Sequence, residues 1–351
     1  MQESDFLKNH FFFYEDYQDL KDLFSFSVKN INIEISSFCN RSCNYCPVSL
    51  VDRRTRNIPM ADDRFGKILR NLIEIEYSGR ISLNLYNEPT ADKDLLLQRI
   101  SEIKHSVPMA SIYFGTNGDY LNSDYMIQLA EAGVSELYVT LHPPKGELYK
   151  DEYVIWRFTE FAARLGKSIK IDLFRPGHTL QGRFSSNGIA VNIFSTNYNI
   201  FGTDRAGSVK GLIDVPFRRI SPCNRPFNDF TISYDGTIFP CCQMFADDPD
   251  HKTNFSIGNL DDFSSIFHAY GGQRMAGWRR SLLTYGLKQN PCATCTEAST
   301  PEINQTDSEM RNRVQTKYIG EAEKKASTDE PNVASGTKIL LRKFIKIIQV
   351  K

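Results

Sequence analysis

The sequence has no excess charge of either sign and no long apolar run. Lys plus Arg and Asp plus Glu number 42 each among 351 residues. A protein whose main role is to hold nucleic acid needs a basic surplus, so the balance disfavours that role. The longest apolar stretches fall well short of a membrane span, and the sequence does not begin with a secretory signal pattern. We therefore expect a cytoplasmic protein.

Cysteine is missing from the middle of the chain. None occurs between Cys46 and Cys223, and the eight cysteines fall into two groups. A disulfide framework would distribute its cysteines along the chain, whereas clustered cysteines in a reducing compartment more often bind metal. The pattern predicts two metal sites. The groups are Cys39, Cys43 and Cys46, and then Cys223, Cys241, Cys242, Cys292 and Cys295.

Short β-rich runs alternate with amphipathic segments from about residue 31. This alternation predicts parallel strands joined by crossover helices. Roughly six such units fit, fewer than the eight of a closed barrel. We expect an α/β fold, a partial (β/α)6 TIM barrel followed by a small irregular domain. The predicted strands are 31–36, 81–86, 111–115, 136–141, 169–174 and 189–195.

Composition suggests four segments. Residues 1–30 are rich in aromatic side chains and are expected to pack on the core, and residues 31–205 form the barrel. Residues 206–300 carry the second cysteine group, and Asp235-Gly236 predicts a β-hairpin there. Residues 301–351 read as a linker and a basic amphipathic helix at 336–351. That helix either docks on the protein or contacts an anionic membrane, in which case the substrate could be lipid-linked.

The first cysteine group follows the first predicted strand. Cys39, Cys43 and Cys46 are spaced i, i+4 and i+7 at the strand's carboxyl end, where barrels build their active sites. Three thiolates can bind three irons of a four-iron cluster and leave the fourth iron open. The alternative is a zinc knuckle, which needs a fourth ligand nearby, but the next histidine is His105.

This spacing resembles the motif of the radical S-adenosylmethionine (SAM) superfamily. The resemblance implies a [4Fe-4S] cluster whose open iron binds SAM, with reductive cleavage of SAM to a 5′-deoxyadenosyl radical. It also implies a small-molecule substrate and an electron donor of the flavodoxin or ferredoxin type. Tyr45 matches the aromatic position that packs near the adenine of SAM.

Three later positions match the superfamily in order. Glu88, in Asn-Glu-Pro, stands where the family binds the SAM amino group, although the family's glycines are replaced. Asn117, in Thr-Asn-Gly, follows the third predicted strand, and Thr140 ends the fourth. Each motif alone is most often a turn, but their order after the cysteines supports a SAM site at Tyr45, Glu88, Asn117 and Thr140.

The second group also has a recognisable spacing. Cys223, Cys241, Cys292 and Cys295 could fully ligate a four-iron cluster, and a four-cysteine zinc site satisfies the same spacing. C-x12-G-x4-C followed by C-x2-C resembles the Twitch domain, the abbreviated form of the SPASM domain, and so implies one auxiliary [4Fe-4S] cluster. Cys242 is left over as a buried structural cysteine, an alternative ligand, or a hydrogen donor that quenches a substrate radical.

Within the superfamily the resemblance favours an oxidoreductase or epimerase. The expected substrate is a carbohydrate-like or other polyhydroxylated small molecule, and His142 and Arg175 are candidate bases. Two alternatives stay open, an enzyme that modifies peptides or proteins and a metal-binding scaffold without catalysis.

Overall fold

A computed structural model describes residues 13–144, 146–209, 218–283 and 286–297. Ten strands form one sheet in the order β10-β9-β8-β1-β2-β3-β4-β7-β6-β5. The strands are β1 Asn30–Ile33, β2 Arg80–Ser82, β3 Ser111–Thr116, β4 Val134–Thr140, β5 Lys170–Arg175, β6 Thr179–Ser186, β7 Ile189–Thr196, β8 Asp229–Ile232, β9 Thr237–Phe239 and β10 Gly258–Asn259.

The centre of the sheet is parallel. Strands β8, β1, β2, β3, β4 and β7 follow one another in the sheet, and each adjacent pair among these six is parallel. Ile31, Ile81 and Phe114 on these strands are fully buried, as expected for a parallel sheet covered by helices. Within the described residues, β10 and β5 each pair with one strand only, so the sheet is open. The predicted partial barrel is confirmed.

Helices connect the strands and bury one face. In Asp62–Glu74, Phe65, Ile68 and Leu72 are buried at the spacing of one helical face. The described helices are α1 Tyr17–Ser27, α2 Asp62–Glu74, α3 Lys93–Ser106, α4 Ser123–Ala132, α5 Asp151–Leu165, α6 Tyr198–Phe201, α7 Arg225–Asn228, α8 Ile266–Gly271 and α9 Gln273–Leu283.

One predicted strand takes an unexpected place. The segment 169–174 was expected to be a parallel strand of the barrel, but β5 lies at the sheet edge and pairs antiparallel with β6, which pairs antiparallel with β7. The reason is the turn between β6 and β7. Asn187 and Gly188 both adopt positive φ, 51° and 86°, which is the geometry of a tight hairpin turn.

Two further local predictions can be compared with the structure, and a third lies outside the described residues. The hairpin at Asp235-Gly236 is confirmed, since β8 and β9 pair antiparallel and Gly236 has a φ of 85°. The described part of residues 1–30 packs as expected, because the Phe24 ring lies 5.2 Å from the Tyr270 ring of α8. The predicted helix at 336–351 lies outside the described residues. No described helix is long and apolar enough to cross a membrane.

Candidate active site

The first cysteine group forms part of a pocket at the carboxyl edge of the parallel strands. Cys39, Cys43 and Cys46 all line this pocket, which has a volume of about 300 Å³. A tight turn holds the loop, since the Cys46 amide donates to the Cys43 carbonyl at 2.9 Å. Burial raises the pKa of Cys39 to about 12 and that of Cys43 to about 11, so both thiols are protonated until a metal binds.

Glu88 lies beside the cysteine loop. Its backbone amide donates to the Phe38 carbonyl at 2.7 Å, next to Cys39. One carboxylate oxygen, Oε1, accepts from the Thr116 hydroxyl at 2.6 Å and from Thr90, and Oε2 accepts from the Asn117 amide at 2.6 Å. Burial raises the pKa of Glu88, and these hydrogen bonds oppose the rise. The carboxylate is therefore fixed in place and aimed into the pocket.

Asp119 anchors the same loop from the other side. Its carboxylate accepts two hydrogen bonds from Arg41, at 2.6 and 2.7 Å, and one from Asn40 at 2.9 Å. Arg157 of α5 donates to the same carboxylate at 3.0 Å. Asn117 donates its side-chain amide to Asn40 at 2.7 Å, so this predicted SAM contact is engaged with the cysteine loop.

Two tyrosines and a histidine form an aromatic wall of the pocket. The rings of Tyr45 and Tyr198 stack with centroids 4.5 Å apart, and Thr140 lines the same pocket. The Tyr45 hydroxyl lies 2.5 Å from His142 Nδ1. Burial lowers the pKa of His142 to about 3 and raises that of Tyr45, so the hydroxyl donates and the neutral histidine accepts. The remaining ring nitrogen, Nε2, then carries the proton.

A strained turn places Arg205 in the wall of the same pocket, near Cys46. Arg205 and Ala206 have positive φ of 50° and 56°, a region that residues other than glycine rarely adopt. His251 supports the turn, accepting from the Phe245 amide at 3.0 Å and donating from Nε2 to the Ala206 carbonyl at 2.9 Å. The Arg205 guanidinium lines the pocket and donates to Gln243 Oε1 at 3.1 Å. Such strain is common at functional sites.

Four cysteines of the second group line a separate small cavity. Cys223, Cys241, Cys292 and Cys295 all face it, so the structure brings together the four predicted ligands. Arg219, which is 1% exposed, donates to the Cys295 sulfur at 3.6 Å, a contact that stabilises a thiolate.

Cys242 lies apart from both sets of predicted ligands. It is absent from the described lining of either cavity. Its thiol lies near the Arg225 guanidinium, which opposes the rise in the thiol's pKa that burial causes. Its predicted role as a hydrogen donor is not tested by this placement.

A buried ion network joins the two cysteine regions. Arg53, which follows the first group, pairs with Glu34 at 2.6 Å and with Asp247 at 2.8 Å. Glu34 also accepts from Ser233 at 2.6 Å and from the Tyr86 amide at 3.1 Å. Strand β1, the cysteine loop and the segment after Cys241 are therefore held in one arrangement.

Sequence reasoning missed several pocket residues. Arg205, Tyr198 and Arg41 line the pocket but belong to no motif that was recognised. Arg41 stands inside the cysteine loop and could have been found by its position. Of the two candidate bases, His142 lines the pocket, whereas Arg175 ends the edge strand β5 and is not among the described lining residues.

The donors fit iron–sulfur clusters. In the described part of the chain, no three His, Cys, Asp or Glu side chains converge closely enough to hold a single metal ion. An iron–sulfur cluster needs a different arrangement, because each thiolate binds its own iron. Three thiols at an open pocket and four around a closed cavity match a cluster with one accessible iron and a fully ligated one. The fold and these sites define an iron–sulfur enzyme.

Comparison with known proteins identifies the family. The model of the radical SAM superfamily matches residues 33–162, and that of the SPASM iron–sulfur cluster-binding domain matches residues 223–296. A curated relative from Niallia circulans, an S-adenosyl-L-methionine-dependent 2-deoxy-scyllo-inosamine dehydrogenase, is 32% identical over 79% of this chain and 96% of its own length. This chain belongs to the radical SAM superfamily and carries a SPASM iron–sulfur domain.

One solved structure shares the fold, and a second is similar to a smaller extent. BtrN in complex with AdoMet and 2-DOIA is 22% identical and covers 80% of this chain and 97% of its own, with a TM-score of 0.58. BtrN in an open conformation is 20% identical and covers 73% of this chain and 85% of its own, with a TM-score of 0.47. As a family member, the protein is an enzyme that uses a [4Fe-4S] cluster, SAM and auxiliary iron–sulfur chemistry.

Proposed function

We propose that this enzyme is a radical SAM dehydrogenase of a polyhydroxylated, carbohydrate-like small molecule. The observation that carries the proposal is the pocket of about 300 Å³ between the first cysteine group and Arg205. SAM would occupy the part beside the cysteines, and the substrate would meet the lining residues beyond it. The remaining wall offers hydrogen-bonding groups from Tyr198 and Arg205, as a polyol requires.

Three groups of residues prepare the pocket for SAM. Cys39, Cys43 and Cys46 would hold the cluster and leave one iron for SAM. Glu88 Oε2 accepts one bond, from the Asn117 amide, and so keeps a lone pair for an ammonium donor. Reduced cluster and SAM together supply the 5′-deoxyadenosyl radical that removes a hydrogen atom from substrate.

The second cysteine set favours oxidation over the other outcomes. With Cys223, Cys241, Cys292 and Cys295 all facing one cavity, every iron of an auxiliary cluster would have a protein ligand. No iron would then be left to bind substrate, so these residues would hold a group suited to accept an electron. The name of the curated relative, a dehydrogenase, supports the same reaction type.

Oxidation of an alcohol also needs an acceptor for the hydroxyl proton. His142 lines the pocket, but burial lowers its pKa to about 3, which makes it a weak acceptor for that proton. Its Nδ1 is covered by the Tyr45 hydroxyl at 2.5 Å. Neither feature suits a general base, so the proton acceptor is not assigned to this pair.

The test is the mass of the product. Enzyme with both clusters reconstituted is incubated anaerobically with SAM, dithionite and candidate cyclitols. Dehydrogenation yields a ketone that has lost two hydrogens, together with 5′-deoxyadenosine. A product of unchanged mass and altered stereochemistry would indicate epimerisation instead, and conversion of peptides alone would contradict a polyol substrate.

A further inference from the structure

The charges around the pocket are unevenly distributed. Among the described lining residues, Glu88 is the one acidic side chain, whereas Arg41 and Arg205 are both cationic. Arg41 is neutralised, since it pairs with Asp119 at 2.6 Å. Arg205 has no carboxylate within ion-pair distance in the described part of the chain, and its Nε is buried without a hydrogen-bond partner.

The Glu88 carboxylate cannot bind a substrate cation in addition to the SAM amino group. Glu88 Oε1 already accepts from Thr90 and Thr116, and Oε2 accepts from Asn117. If the proposed function holds, the lone pair left on Oε2 is taken by the SAM amino group. A substrate ammonium group would then find no carboxylate among the described pocket residues, and burying an unpaired charge is costly.

Arg205 is held in a fixed position at the wall of the pocket. Its guanidinium donates to Gln243 Oε1 at 3.1 Å, and Thr203 donates to the same oxygen at 2.8 Å. Gln243 is 6% exposed and carries an amide where a carboxylate would neutralise the arginine. The turn at 205 and 206 has strained backbone, so the position of this cation is maintained at a cost.

We propose that Arg205 selects substrates by charge, binding an oxygen acceptor of the substrate and rejecting an ammonium group at that position. The inference rests on the proposed function and names its substrate class, a cyclitol or sugar whose group facing Arg205 is a hydroxyl or an acid. Guanidinium N–H groups donate well to such oxygens. A like charge placed against the arginine would be repelled.

Two cyclitols that differ in one group provide the test. 2-Deoxy-scyllo-inosamine carries an amine, and 2-deoxy-scyllo-inositol carries a hydroxyl in its place. Binding of each to the SAM-loaded, reconstituted enzyme is measured by calorimetry without a reductant, so no turnover occurs. We expect the hydroxyl compound to bind at least ~10-fold more tightly. Amine binding should strengthen as rising pH removes the ammonium charge, while hydroxyl binding stays constant.

Variants connect the preference to Arg205. Gln243→Glu places a carboxylate against the guanidinium and should bring the two affinities to within roughly threefold, because the repulsion is removed. Arg205→Gln should also bring the two affinities to within roughly threefold. This variant provides the test if Gln243→Glu fails to fold. Gln273→Glu, at the exposed start of α9 and outside the lining of the pocket, adds the same charge and should keep the wild-type preference.

Three results would overturn the inference. Equal or tighter binding of the amine by the wild type contradicts selection by charge and leaves the polyol function standing. An unchanged preference in both pocket variants shows that Arg205 is not its source. Binding of neither cyclitol contradicts the proposed function, and the inference is withdrawn with it.

Discussion

Cys241 and Cys242 are adjacent in sequence, but they face different surroundings. Cys241 lines the cavity of the second cysteine group, whereas Cys242 lies near Arg225. Both residues lie in the turn that follows β9, and the turn gives their side chains different neighbours. The set of ligands that we propose therefore includes Cys241 and leaves Cys242 out.

Replacing each of the two cysteines tests that assignment. Cys241→Ala should remove the auxiliary cluster and lower the iron content by about four atoms per chain. Cys242→Ala should keep full iron content and, if the reaction is a dehydrogenation, an unchanged product. Iron analysis with product mass spectrometry measures both. Loss of iron in Cys242→Ala would identify it as a ligand, and loss of an epimerised product would identify it as a hydrogen donor.

Glu88 is proposed to receive the SAM amino group. Glu88→Gln removes the charge and keeps the shape, and because hydrogen bonds to charged groups contribute about 1.5–3 kcal/mol, we expect SAM to bind roughly tenfold more weakly or worse. Equilibrium dialysis with the oxidised, reconstituted enzyme measures this, with iron content as a check. Glu131→Gln on the exposed surface of α4 is the control. Equal SAM affinity in Glu88→Gln would contradict the assignment.

His142 gives the stability of the protein a defined pH dependence. Burial lowers its pKa from 6.5 to about 3, so between these values the unfolded chain binds more protons than the folded one. His142 costs no stability above pH 6.5. Below that, the free energy of unfolding decreases as the pH falls toward 3, by at most about 1.4 kcal/mol per pH unit.

A comparison of melting temperatures measures the effect. Between about pH 7 and pH 5, the Tm of the wild type should fall more steeply than that of His142→Gln, which cannot titrate in this range. Both are measured as the reconstituted enzyme with SAM. Parallel curves would show that His142 is not held neutral by burial.

At the scale of elements, Arg53 connects strand β1 to the segment after Cys241. Its partners are Glu34, which is 1% exposed, and Asp247. Arg53→Met leaves Glu34 buried without its cation and should cost about 3–5 kcal/mol. Arg64→Met breaks an exposed pair with Asp261 and should cost no more than about 1 kcal/mol. Thermal unfolding compares the two variants, and equal losses would contradict the role of the buried network.

Elements with a strong local signal were predictable from the sequence. The three cysteines follow β1, and Asp235-Gly236 makes the predicted hairpin because a glycine is needed at the positive φ of 85°. The edge position of β5 was not predicted. Strand pairing depends on distant partners, although Asn187-Gly188 is a hairpin signal that could have indicated an antiparallel β6 and β7.

The pocket residues outside the motifs could not be predicted from local sequence patterns. Arg205 depends on Gln243 and on the turn that His251 supports, and these contacts join segments about forty residues apart. Tyr198 reaches Tyr45 across a separation of more than 150 residues. Such residues carry no spacing rule, so only the folded chain places them in one pocket.

At the scale of the whole molecule, one sheet carries both cysteine regions. Strand β8 pairs in parallel with β1, so the segment between Cys223 and Cys241 extends the same sheet that positions the first cysteines. Both proposed clusters are therefore fixed to one framework. The four-segment division of the chain, the electron donor and the membrane contact at 336–351 remain predictions.

The central claim is that the pocket beside Cys39, Cys43 and Cys46 removes a hydrogen atom from a carbinol carbon. The most direct test follows deuterium from a cyclitol labelled at its carbinol positions, in anaerobic reactions with SAM and dithionite, using Cys39→Ala as the control. We expect deuterium in 5′-deoxyadenosine with the wild type and none with Cys39→Ala. Formation of 5′-deoxyadenosine without deuterium, while the cyclitol is oxidised, would contradict it.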